Sequence, residues 1–171
     1  MKKFTRLSIL LSLAVVLNIV ESFIPLFNGF IPGFKLGLAN IVTLFILYKF
    51  SLKEAFYVGI LRIFLVDILR TGLFNTTFIF SLSECILSII MMFIFKKYFK
   101  LSIIGVSIIG SIFHCLGQVI TAMILLNNNM LYYLPWILLL SIPTGIIVGL
   151  ISKKLLENYN CILINDVKQD L

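Results

Sequence analysis

At 61% hydrophobic and only 12% charged residues over 171 positions, with a mean hydropathy of +1.14, the chain is too apolar for an ordinary water-soluble domain. A bilayer core about 30 Å thick takes about 20 helical residues per crossing, which leaves room for roughly six crossings and excludes a sizeable soluble domain beside them. The net charge of +7 is dispersed as short basic punctuation between apolar runs, a pattern of membrane topology rather than of a nucleic-acid-binding surface.

Taken in chain order, the apolar runs predict helices over 7–26, 36–50, 55–73, 77–96, 101–126 and 131–152. The expected architecture is all-α: a polytopic bundle of six transmembrane helices in residues 1–156, followed by a short cytoplasmic tail over 157–171. The N-terminal KKFTR before LSILLSLAVVLNIV imitates a signal peptide. No small-x-small cleavage site follows, and the apolar run continues to Phe27, so an uncleaved first helix is expected. Six spans place both termini on one side with Lys2, Lys3, Arg6, Lys49, Lys53, Lys96, Lys97, Lys100, Lys153 and Lys154. The positive-inside rule makes that side cytoplasmic. The tail ENYNCILINDVKQDL is too short for a domain and is expected to fray.

Ionisable or strongly polar side chains within a span are costly and by default face the bundle interior with a role. Helix 1 carries Asn18 and Glu21, and near its cytoplasmic end Ser8 and Ser12 lie one turn apart. Between helices 1 and 2, FIPGFKLGLANIV concentrates Pro32, Gly33, Lys35, Gly37 and Asn40 where a membrane hairpin needs only a short turn. Pro32 and Gly33 fix a turn, and Gly37 admits a close backbone or ligand. The N-terminus of helix 2, with Lys35 beside it, is a place for an anion. The plainer reading is a re-entrant turn with a snorkelling lysine.

Helix 3 carries Arg62 and Asp67, and Asp67 and Arg70 read as a local pair. On helix 4, Thr77, Ser81, Glu84 and Ser88 share a face, with Arg62 the candidate partner of Glu84, whether in a structural ion pair or in a site. On helix 5, Ser107, Gly110, Ser111, His114, Gly117, Gln118, Thr121 and Ala122 recur every three or four residues. Two readings of this stripe stand: a close-packing face, or His114 and Gln118 projecting into a ligand cavity. In helix 6, Pro143, Thr144 and Gly145 suggest a kink or local unwinding, and Gly145 to Gly149 a small-xxx-small contact.

Cys85, Cys115 and Cys161 show neither CxxC nor Cys/His spacing, so no disulfide framework, metal site or cofactor is expected. A Walker A motif, GxSxG and HExxH are all missing.

FIPGFKLGLANIV, LR at 61–62 and GVSIIGSIFHCLGQ at 105–118 resemble the bacterial Gx transporter family. Its members are often labelled component I of heptaprenyl diphosphate synthase and look like the substrate-binding S components of energy-coupling-factor transporters. The resemblance runs from about residue 5 to 155. It implies a six-helix subunit of the bacterial cytoplasmic membrane that captures a small molecule from the outer side, with a membrane coupling subunit and ATPases as partners. On this analogy Pro32, Gly33 and Gly37 gate the site. Lys35 and Asn40 bind at its outer mouth, with Arg62, Glu84, His114 and Gln118 deeper. Ser8 and Ser12 occupy the positions that dock such subunits on their partner.

The synthase label is not carried by the residues. A trans-prenyltransferase holds magnesium through aspartate-rich DDxxD motifs that neutralise the diphosphate, whereas this chain has only Asp67, Asp166 and Asp170, none so arranged. No catalytic residue is expected, and the chain is read as a non-enzyme. Beside the uptake subunit stand two alternatives: a noncatalytic membrane component of heptaprenyl diphosphate or quinone synthesis, and a small proton-coupled carrier loading Glu84 or Glu21.

Overall fold

The computed structural model describes residues 2–23, 37–70, 72, 75–126, 132 and 134–169. These form six helices: α1 (Lys2–Ser22), α2 (Asn40–Lys49), α3 (Leu52–Arg70), α4 (Thr76–Tyr98), α5 (Ile103–Leu126) and α6 (Leu134–Gln169). Among the described residues there is no strand. The protein is all-α, and α1, α4, α5 and α6 are long and apolar enough to cross a membrane. The other two differ. α3 has 19 residues but carries Lys53, Glu54, Arg62, Asp67 and Arg70. α2 has ten residues and rises about 15 Å, half a bilayer core.

Local chemistry explains several helix ends. Asn75 caps α4, its side-chain oxygen accepting the Thr76 N–H at 2.7 Å. Lys96 and Lys97 sit in the last turn of α4, where the helix dipole favours cations. The Gly72 N–H, from a residue at φ +82°, closes on the Asp67 carbonyl at 2.7 Å to end α3. α6 runs unbroken through Pro143 and continues to Gln169, so the chain after 152 is helical rather than frayed. Residues 153–169 contain neither glycine nor proline to stop it.

α5 packs most extensively on α4 and α6. Small residues make the close approach: a Cβ on Gly117 would lie 2.8 Å from Glu84 Cα, and one on Gly145 or Gly149 would lie 2.8 or 2.9 Å from the backbone of Ile108 or Ile104. The small-xxx-small contact of helix 6 is thus made against α5.

The core is built around α2, eight of whose ten residues are buried. Leu44, Ile46 and Leu47 are fully enclosed with Ile63, Ile89 and Met92. A helix this short survives in a membrane protein only when the protein buries it and meets its end groups. Both ends of α2 are met by other helices. At one end the Glu21 carboxylate of α1 accepts the N–H of Gly37 and, at 3.1 Å, that of Leu38. At the other the Lys96 ammonium of α4 donates to the Leu47 carbonyl at 2.6 Å. Lys3, Arg6, Lys49 and Lys96 gather at this second, basic end. There Lys3 pairs with Glu54 at 2.5 Å, Arg6 Nη1 donates to the Tyr159 hydroxyl at 2.8 Å, and Lys49 Nζ lies 4.7 Å from the Tyr159 ring centroid.

Candidate functional site

The helix registers bring the polar residues of the spans to one level. α2 and α3 form an antiparallel pair turning at Phe50 and Ser51, so counting back equally from the turn sets Asn40 opposite Leu61 and Arg62. A Cβ on Gly59 would lie 3.0 Å from Cys85 Sγ and Ile89 Cδ1; Arg62, one turn along α3, is therefore level with Ser81 to Cys85 of the oppositely directed α4. Gly117 rests on the Glu84 backbone, and the Ser88 hydroxyl donates to the Gly110 carbonyl at 2.9 Å. His114 and Gln118 therefore stand at the height of Glu84. A Cβ on Gly37 would lie 3.0 Å from Asn40 Nδ2 and 3.6 Å from His114 Cδ2.

This layer lies near the mid-length of α3, α4 and α5, and it is buried. Asn40, Arg62, Glu84, His114 and Gln118 are all buried, Arg62 and Glu84 to 2% exposure. Gln118 Nε2 donates to Glu84 Oε2 at 2.7 Å, and His114 Nε2 lies 3.7 Å from the same oxygen. The family resemblance implies Asn40 at an outer mouth with His114 deeper. The structure sets them side by side, because α2 begins inside the bundle.

Two expected pairings are not made. Arg62 forms no ion pair with Glu84 among the described residues; its Nε and Nη1 have no hydrogen-bond partner, nor has Asn40 Nδ2. Arg70 does not pair with Asp67 but lies 5.9 Å from the Phe23 ring centroid. Helix rotation decides the first outcome, by turning Gln118 and His114 rather than Arg62 onto Glu84.

Glu21 is the residue that sequence reasoning left out of the site. It is 5% exposed, and its carboxylate takes the place at the N-terminus of α2 that was expected to hold an outside anion. Its signal was present: an acid within a span, followed by a helix start needing acceptors. Gly37, at φ +81°, holds the backbone shape that turns its N–H to Glu21.

The remaining expected residues lie elsewhere. Pro32, Gly33 and Lys35 fall outside the described residues. Ser8 and Ser12 are on the exposed face of α1 beside Ile9, Leu13 and Val16, their hydroxyls donating to the Phe4 and Ile9 carbonyls of their own helix. No group of three His, Cys, Asp or Glu side chains could hold a metal ion among the described residues.

The sequence matches the model of a family described as heptaprenyl diphosphate synthase component I over residues 10–155. The chain belongs to that family. The match to heptaprenyl diphosphate synthase component I spans α1 from Leu10 to α6 at Leu155 and so contains the whole polar layer. No curated protein and no solved structure shows a significant match.

Proposed function

We propose that this chain is the substrate-binding membrane subunit of a small-molecule uptake system, resembling the S components of energy-coupling-factor transporters. The observation that carries this reading is the polar layer itself. Four helices deliver Asn40, Arg62, Glu84, His114 and Gln118 to the middle of an apolar bundle, with donor atoms of Arg62 and Asn40 left without acceptors. Buried polar groups in a membrane protein are expensive, and unsatisfied ones are kept where a ligand completes them. A half-length helix opening at mid-bundle is also how many transporters build a binding site.

In this reading α2 and α3 complete six crossings of a bacterial cytoplasmic membrane, with the basic end and both termini cytoplasmic. With no Walker A motif in the chain, ATPase partners supply the energy. A coupling subunit docks on the exposed face of α1 around Ser8 and Ser12, and Pro32, Gly33 and Gly37 gate the entry. The family description favours a second reading, a noncatalytic membrane partner of a prenyl diphosphate synthase.

The test is native mass spectrometry of the protein purified gently from its own host. A stoichiometric small molecule is expected, lost when His114→Ala and Gln118→Ala are combined while the folded fraction stays largely intact. Binding that survives the double substitution returns the α5 stripe to packing. A soluble synthase travelling with the chain, and no small molecule, establishes the second reading.

A further inference from the structure

We infer that the molecule held in the polar layer carries an oxyanion group, a carboxylate or a phosphate, which Arg62 receives with Asn40 as second donor. The inference rests on the reading of this layer as a substrate site. It follows from an imbalance among the buried charges.

A guanidinium stays protonated at every pH a cell meets, so Arg62, unlike a carboxylate or an imidazole, cannot neutralise itself on burial. At 2% exposure it needs an anion. The chain's own acids at this level are engaged elsewhere. Glu21 holds the Gly37 and Leu38 N–H groups, and Glu84 holds Gln118 with His114 beside it. Asp67 lies five residues along α3 from Arg62, about 140° around the helix, and is itself engaged, while Arg62 Nε and Nη1 donate no hydrogen bond to it.

What remains open at Arg62 is two nitrogens, Nε and Nη1, and in the same layer Asn40 Nδ2, beside Gly37, is open too. All three are donors. A cationic or purely apolar molecule would leave them unmet and add repulsion or desolvation, whereas an oxyanion offers several acceptor lone pairs to a guanidinium. The carboxylates are closed within the chain and the cation is not. That asymmetry selects an anionic ligand.

The experiment compares wild type with Arg62→Met in the same detergent, with Arg62→Lys as a variant that keeps the charge. Melting is followed in 10 mM inorganic phosphate, in 10 mM acetate, and in chloride of matched ionic strength, and co-purified molecules are identified by mass. Wild type is expected to melt about 3 °C higher in phosphate or in acetate than in chloride, the responding anion naming the group. Arg62→Lys should keep a smaller response. Arg62→Met should show none, should melt above wild type in chloride because an unpaired buried charge is gone, and should lose the co-purified molecule. A neutral molecule retained equally by wild type and Arg62→Met overturns the anion inference and leaves the binding-subunit reading standing. No co-purified molecule and no response to either anion overturns both.

Discussion

The two ends of α2 are fastened by the same physics and set in opposite surroundings. At Gly37 a carboxylate from α1 takes the free N–H groups, and at Leu47 an ammonium from α4 takes a free carbonyl, each charge matched to its end of the helix dipole. Around the Leu47 end the neighbours are Leu44, Ile46 and Phe45, with Tyr48 and Tyr159 under cationic side chains. Around the Gly37 end they are Asn40, Arg62, Glu84, His114 and Gln118. The fastening therefore belongs to the fold, since both ends have it. The unmet donors of Arg62 and Asn40 lie at the Gly37 end, and in the proposed reading they mark where a ligand completes the bundle.

Three variants test this division. Glu21→Ala should have the largest effect, because it leaves two buried N–H groups without an acceptor; a loss of about 2–4 kcal/mol is expected in reversible unfolding, together with loss of the co-purified molecule. A variant as stable as wild type would show that Glu21 does not hold α2. Lys96→Met should cost about 1 kcal/mol with ligand retention unchanged. Loss of the molecule in that variant would dissolve the distinction between the two ends. The smallest effect on stability, within about 0.5 kcal/mol, is expected for Ser8→Leu with Ser12→Leu on the exposed face of α1. Co-purification with a coupling subunit should nevertheless fall, and undiminished co-purification would remove Ser8 and Ser12 from the docking surface.

Most of the helices were legible because a membrane span announces itself by length and apolarity, and α1, α3, α4 and α5 lie within a few residues of the runs that predicted them. The start of α2 was not. Its boundary at Asn40 rather than 36 depends on a carboxylate sixteen residues away from Gly37 in sequence, which no local pattern reports. The end of α6 was missed for another reason: Lys153 and Lys154 mark an edge of hydropathy, and a helix has no need to stop where a membrane does.

The site divides in the same way. The spacing of His114 and Gln118, with Glu84 as an acid within a span, was enough to point to these residues, and they meet. Charge complementarity alone matched Glu84 to Arg62 and Asp67 to Arg70, and neither pair forms. Opposite charges say that a partner is needed, while helix rotation says which one is reached.

The fastening of α2 also has an order in time. A ten-residue helix cannot hold a place in a bilayer by itself, so α2 is secured only as its neighbours arrive. Glu21 is synthesised before Gly37 and Leu38; Lys96 follows Leu47 by 49 residues and can reach it only after α3 and α4 have been made. Chain order thus makes the end of α2 at the polar layer the first that can be anchored, and the basic end the last that can be closed, by the helix that also brings Glu84.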